Sequence, residues 1–255
     1  MKRLILIAMG VLLSAPNVLA QNFCQGDFNY NGNVAAEDVE IFLEHFGRSI
    51  FNNPCPPDGP APVPRTGQIT QYVPGDDGEL QKGVPWPNPR FTDNGNETVT
   101  DNLTGLMWLK DADCIRTNYP GFDNDENSGF PEDGRVHWQH ALDFVAGIND
   151  GTYINCGGVP PYNDWRLPNR FELESLCDLH YQMSSVPDTS GSGKWSEGDP
   201  FNSLPEPHAT HNGYVSSNTF TADFSLAWFV TISNCNAAPF SKFTEAHVWP
   251  VRGGQ

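Results

Sequence analysis

Basic residues are scarce in this chain. It carries 14 Lys and Arg against 31 Asp and Glu, a formal net charge of −17, and nowhere do four bases cluster. Nucleic acids and anionic membranes are held by cationic side chains that displace counterions, so both are excluded as partners. Long apolar runs are lacking as well. Beyond residue 20 no stretch approaches the roughly 20 apolar residues that a membrane-spanning helix requires. The motifs of common catalysts are missing too: there is no nucleophile elbow, phosphate-binding glycine loop or HExxH sequence. Carboxylate pairs abound, but an acidic chain supplies them by chance, and glycoside hydrolysis needs a defined separation across a cleft. Gly 24 and Pro 22 fall below the share that marks low-complexity chains, and 12% aromatic residues belong to a chain that packs.

What is present begins with Lys2 and Arg3, the apolar run Leu4 to Leu13, and Val18-Leu19-Ala20. That order of charged, apolar and small residues predicts a secretory signal peptide over residues 1–20. Its removal leaves 12 bases against 31 acids, a charge of −19, which suits solubility outside the cell and capture of cations. In an exported chain the six cysteines, Cys24, Cys55, Cys114, Cys156, Cys177 and Cys235, read as three disulfides, and no C-x-x-C pair is present. Module boundaries favour Cys24 with Cys55 and leave three connectivities open among the other four.

From Pro54 to Pro64, six of eleven residues are Pro, which favours polyproline II and a semi-rigid spacer. The predicted organisation is a small module over 21–55, a Pro-rich linker over 56–66 and a large module over 67–255. In the small module, Asp27, Asn29, Asn31 and Asp38 place side-chain oxygens at positions 1, 3, 5 and 12 of a loop. Asn33 offers its carbonyl at position 7, and Gly32 permits the turn. This is the spacing of an EF-hand calcium loop. Val39, Phe42, Leu43 and Phe46 then follow a helical stripe that Gly47 can end. The segment resembles one repeat of a dockerin, the calcium-loop module that docks cellulosomal enzymes onto cohesins. Dockerins carry two repeats, and only one is visible here. A Cys24–Cys55 bond closing the ends of so small a unit would substitute for the missing one.

The large module opens with Thr92-Asp-Asn-Gly95, Thr98-Val-Thr100, Asp101 to Gly105 and Leu106 to Leu109, read as short strands joined by Asn/Asp/Gly turns. A helix is predicted over His137–Ile148, with Trp138, Ala141, Leu142 and Val145 on one face. Asn169 can cap a second, from Arg170 to about Leu179, with Glu172 placed for a capping box. Strand signals return over Tyr214–Phe220, Ala227–Ile232 and Ala246–Arg252. Strands around a helical centre predict an α+β fold whose ends meet in one antiparallel sheet.

Four segments carry a resemblance: Gly75 to Gly83, Phe91 to Trp108, Asp164-Trp-Arg-Leu-Pro-Asn-Arg-Phe-Glu-Leu173 and Val248-Trp-Pro-Val-Arg-Gly-Gly254. In order and spacing, over about residues 67–255, they resemble the Lcl C-terminal domain-like family, named for a collagen-like bacterial adhesin. The resemblance implies a relationship to C-type-lectin-like and sulfatase-modifying-factor folds, and secreted or surface roles that include glycan binding. The namesake is associated with sulfated glycosaminoglycans, which a chain of charge −19 repels unless calcium bridges them or Arg166, Arg170 and Arg252 form a cationic patch. Formylglycine-generating relatives need reactive paired cysteines, whereas those here read as structural.

Trp165 and Arg166 are read chiefly as a fold-closing element and secondarily as ligand contacts. Tyr214, Trp195 and Phe220 are the aromatics expected to be exposed enough to stack on sugar rings, while Trp108, Trp138, Trp228 and Trp249 are expected in the core. The acidic loop from Asp123 to Gly129, with Glu132 and Asp133, is a candidate second cation site. The pairs His137/His140 and His208/His211 suit zinc only with further ligands. The reading is a secreted or surface-exposed, non-catalytic binding protein with calcium as cofactor and a glycan or other surface polymer as partner. Two alternatives remain: an assembly protein docking through the dockerin-like repeat, and a polysaccharide hydrolase component.

Overall fold

Between Phe91 and Leu109 the chain reverses twice within nineteen residues, and its turn residues set the bends. Gly95 and Gly105 hold φ of +70° and +73°, a region open to glycine because it lacks a Cβ. The result in this computed structural model is three short strands, β1 (Phe91–Asp93), β2 (Thr98–Asp101) and β3 (Met107–Leu109). The residues described are 63–122, 132–158, 161–181, 185–205 and 213–253. The signal segment, the calcium-loop module with Asp27, Asn29, Asn31, Asn33 and Asp38, the cysteines Cys24 and Cys55, and residues 56–62 of the linker lie outside them. So do residues 123–131 of the acidic loop, and His208 and His211.

A one-turn helix, α1 (Asp77–Leu80), precedes the strands, and α2 (Cys114–Asn118) follows them. Next come α3 (Trp138–Asn149) and α4 (Arg170–Ser175). In α3, Ala141 and Val145 of the predicted stripe are buried, Trp138 and Leu142 are half-buried, and Phe144 and Ile148, outside that stripe, are buried instead. The predicted capping box of α4 is present. Asn169 Oδ1 accepts from the Glu172 N–H at 3.0 Å, and Glu172 Oε2 accepts from the Asn169 N–H at 2.7 Å. The helix stops at Ser175 rather than Leu179: the Leu176 and Cys177 N–H groups tighten onto carbonyls three residues back, and then Asp178 N–H goes to the Ser185 carbonyl and Leu179 N–H to that of Thr66.

The remaining strands are β4 (Gly213–Thr219), β5 (Leu226–Thr231), β6 (Asn236–Ser241) and β7 (Val251–Arg252). The fold is α+β with antiparallel pairing, in two sheets rather than the one expected. The first has the order β1-β2-β3-β7, the second β4-β5-β6. The expected meeting of the two ends is there, with Trp108 opposite Val251. β4 pairs with β5, and β5 in turn with β6, a strand whose Pro239 hides it from sequence reading. Of the stretch Ala246–Arg252, only Val251 and Arg252 join a ladder, since Pro250 lacks a donor.

The core centres on Trp249. Its ring meets Trp108 at 5.3 Å, Phe201 at 4.8 Å and Tyr214 at 5.1 Å, and its Nε1–H donates to the Leu109 carbonyl at 2.8 Å. Each such aromatic contact adds about 0.5–1.5 kcal/mol beyond the area it buries. Trp138 and Trp228, expected in the core, are half-buried instead. The Lys242 ammonium lies 4.1 Å over the first ring and the Arg170 guanidinium 4.2 Å over the second. Two disulfides settle the open connectivity: Cys114–Cys156 and Cys177–Cys235, closing 42 and 58 residues of sequence. Among the described residues no helix is long and apolar enough to cross a membrane.

Candidate functional site

The β3–α2 turn and the loop after α3 meet across the Cys114–Cys156 disulfide, and beside it opens a cleft of about 420 Å³. Leu109, Ile154 and Pro161 give it apolar wall, and Asn118 and Asn155 line it with carboxamides. Its charged lining residues are Glu97 and Asp111, both acids. Glu97 sits at φ +63°, uncommon for a residue with a Cβ, and its carbonyl accepts from the Lys110 N–H at 3.0 Å. The Lys110 ammonium is held by Asp93 at 2.7 Å. Asp111 serves the turn into α2: it accepts from the Asp113 N–H at 3.0 Å, from the Thr117 hydroxyl and from Asn118 Nδ2 at 3.4 Å.

Next to the Asp111 turn lies a buried polar network. Asp113 Oδ1 is 3.2 Å from His247 Nδ1, and Asp113 Oδ2 accepts from Arg116 Nε at 2.5 Å. The Tyr214 ring stands 5.9 Å from that of His247. Its hydroxyl is buried without a hydrogen-bond partner, and burial first, then the charges of Asp113 and Asp111, push its pKa well above the ordinary tyrosine value. The phenol therefore stays neutral. Tyr214, expected at an exposed position, is instead fully buried and offers no face to a ligand. The segment through His247 covers it: Val215 N–H donates to the His247 carbonyl and His247 N–H to that of Gly213.

Trp165 is also enclosed. Its Nε1–H donates to the Gly157 carbonyl at 3.1 Å, and its backbone exchanges two hydrogen bonds with the Asn149 side chain. Trp195 is half-buried against the core and donates from Nε1 to the Phe201 carbonyl at 3.0 Å. Phe220 turns its edge to Trp228 at 5.5 Å. Among the described residues the aromatic rings most open to solvent are others: Phe171, Phe224, Phe243 and Tyr72 are each 74–79% exposed. Only Phe171 lay in a segment that sequence reasoning singled out, and no periodicity distinguishes it.

The three arginines do not make a cationic patch, because each is paired with a carboxylate. Arg166 grips both oxygens of Glu172 at 2.7 and 2.6 Å and donates to the Gly253 carbonyl. Arg170 holds Glu174 at 2.9 Å, and Arg252 holds both oxygens of Asp164 at 2.6 and 3.0 Å. Asp133, part of the candidate second cation site, is likewise bound to Arg135. Chemically the surface so built offers hydrogen-bond acceptors, amides and open rings, but little unpaired positive charge.

Comparison with known proteins gives one family. The family model of the Lcl C-terminal domain matches residues 97–252, from the cleft residue Glu97 to the last strand. No curated protein matches the chain.

Proposed function

The chain belongs to the Lcl C-terminal domain family, and from that membership we propose that it is a secreted or surface-exposed binding protein without catalytic activity. Its ligand on this reading is a glycan or another surface polymer, and the large module has a C-type-lectin-like arrangement related to sulfatase-modifying factors. A dockerin-like loop of Asp27, Asn29, Asn31, Asn33 and Asp38 holds calcium and stabilises the small module. Two disulfides support an oxidising compartment.

The observation that carries the choice of ligand is the pairing of Arg166, Arg170 and Arg252 with carboxylates, together with a cleft whose charged lining residues are both acids. Sulfated polymers need unpaired cations. Neutral polyols and amino sugars do not, since carboxylates and carboxamides accept from hydroxyl and ammonium groups. Two carboxylates in one cleft also speak for a hydrolase. Asp111, however, is already bound by a backbone N–H, a hydroxyl and a carboxamide, which favours binding over turnover.

The test is a glycan array on the full chain, run with calcium and with chelator, comparing neutral, amino-bearing and sulfated glycans. Retention of neutral or amino glycans, weakened by Glu97→Gln, is expected. Preference for sulfated glycans, or release of reducing ends that Glu97→Gln abolishes, refutes the reading.

A further inference from the structure

The cleft beside the Cys114–Cys156 disulfide is short of positive charge, and the bases nearest to it in sequence are already bound. Lys110 Nζ is held by Asp93 at 2.7 Å and Arg116 Nε by Asp113 at 2.5 Å. Asn118 has no donor to spare. Its Nδ2 is 2.9 Å from Thr117 Oγ1, 3.3 Å from Cys114 Sγ and 3.4 Å from Asp111 Oδ2, which uses both amide protons and leaves Oδ1 as its open end. Glu97 is exposed, and its carboxylate joins no hydrogen bond or ion pair with a described residue. The polar side chains of the cleft therefore present mostly acceptors, and one carboxylate among them is uncompensated.

The walls of this cleft are held rigidly. The disulfide joins α2 to the loop after α3, and the Asn155 N–H donates to the Tyr119 hydroxyl at 3.0 Å across the same junction. Fixed walls lower the ordering cost of binding. A volume of about 420 Å³ lies within the span of small-molecule sites. Leu109, Ile154 and Pro161 supply apolar surface, and Ile154 keeps 53% of its area open. The field of the whole chain has the same sign as Glu97: a net charge of −17 draws cations toward an acidic cleft and turns anions away.

We infer that the cleft takes the ammonium group of an amino sugar, and that Glu97 sets the preference for that cation over a neutral sugar. The inference rests on the glycan reading above and narrows it. An ammonium brings three donors together with the missing charge, and its hydrogen bonds to ionised carboxylates are stronger than those of a hydroxyl. An N-acetylated sugar brings a single N–H and a carbonyl that would face acceptors. A pyranose also carries an apolar C–H face to set against Leu109 and Ile154. Being rigid, it loses less conformational freedom on capture than a lysine side chain, the other common bearer of an ammonium.

The experiment titrates the full chain calorimetrically with the β-1,4-linked trimer of glucosamine and with the same trimer N-acetylated, which differ only in the charge and shape of the nitrogen group. Titration at about pH 6 keeps carboxylates ionised and the amines protonated. The parent should bind the amine trimer about 10-fold tighter or better, and raising the salt to about 0.5 M should erode that margin. Glu97→Gln should abolish the margin, whereas Asp223→Asn, which removes one charge from the exposed β4–β5 turn outside the cleft lining, should keep it. Equal or tighter binding of the acetylated trimer overturns the inference and leaves the glycan reading standing. Failure of the parent to bind either trimer removes both. Tighter binding of trilysine than of the amine trimer makes a basic peptide the occupant and also overturns it, as does a margin undiminished in Glu97→Gln. The comparison of the two trimers on the parent chain decides the matter even if Glu97→Gln fails to fold.

Discussion

Replacing Asp101 by alanine tests how this fold tolerates charge in its interior. Arg90 and Asp101 are both 0% exposed, and the carboxylate accepts four donors: Arg90 Nε at 2.8 Å, Arg90 Nη2 at 3.0 Å, the Leu103 N–H at 2.9 Å and the Thr104 hydroxyl at 2.9 Å. Removing it leaves the guanidinium wedged between Trp86, 4.5 Å from its centre, and Phe91, at 4.9 Å, with the Ser175 carbonyl as its remaining acceptor. Arg90 Nη1 already lacks a partner, so the cation has no slack to absorb the loss. Breaking one side of a buried pair costs about 3–5 kcal/mol. At about 2–4 °C per kcal/mol for a domain of this size, the melting point should fall by about 6–20 °C. The near-ultraviolet circular dichroism of Trp108 and Trp249, both fully buried, follows this core during the melt. Removing the charge from both sides, in Arg90→Met with Asp101→Leu, should restore at least half of the loss, because the desolvation penalty goes with the ions. An Asp101→Ala chain melting within about 2 °C of the parent, or a double variant no better than the single one, refutes this account.

Two further outcomes follow from the same structure. Burial pushes the Glu172 carboxyl up, but the Arg166 guanidinium and the Asn169 N–H outweigh it and hold the pKa below its ordinary 4.5. Its stabilising effect is therefore fully present above that value and is lost as pH falls through the lower folded pKa. Glu172→Gln should cost about 1 kcal/mol at neutral pH. The gap to the parent in urea titrations should close as the medium is acidified below 4.5, and a gap unchanged at about pH 3 contradicts the cause given. Replacing Cys177 and Cys235 by alanine together opens a 58-residue loop. On loop-entropy grounds this should lower stability by about 4 kcal/mol in denaturant titration. A loss under about 1 kcal/mol would mean that the crosslink constrains nothing in the unfolded chain.

Local chemistry made part of this fold readable. Asn169 and Glu172 lie three apart and define their capping box without help from the rest of the chain. The turns at Gly95 and Gly105 likewise mark off β1 to β3 by backbone freedom alone. What was hidden depends on residues distant in sequence. Arg252 finds Asp164 across 88 positions, so three arginines that look free in the sequence are paired in the fold. Tyr214 reads as an exposed strand aromatic because its cover, His247, lies in another segment. The cleft draws on Glu97, on Asp111 and on the loop that carries Ile154 and Pro161, and no spacing rule gathers them. Glu245 comes beside His137 only because of the bridge between Val136 and Ala246. The segment after Leu176 leaves its helix for tertiary reasons, which a helical stripe cannot register.

The pairing of β7 with β3 couples Met107 to Arg252 over 145 positions. A ribosome delivers this chain from one end, so β3 must wait with an unfilled hydrogen-bonding edge while everything between is made. Contacts of such long range slow folding and prolong exposure of open strand edges. A chain cut short before Val251 would display that edge permanently, and copies of it would pair with one another. The making of Val251 and Arg252 is thus itself the step that seals the first sheet.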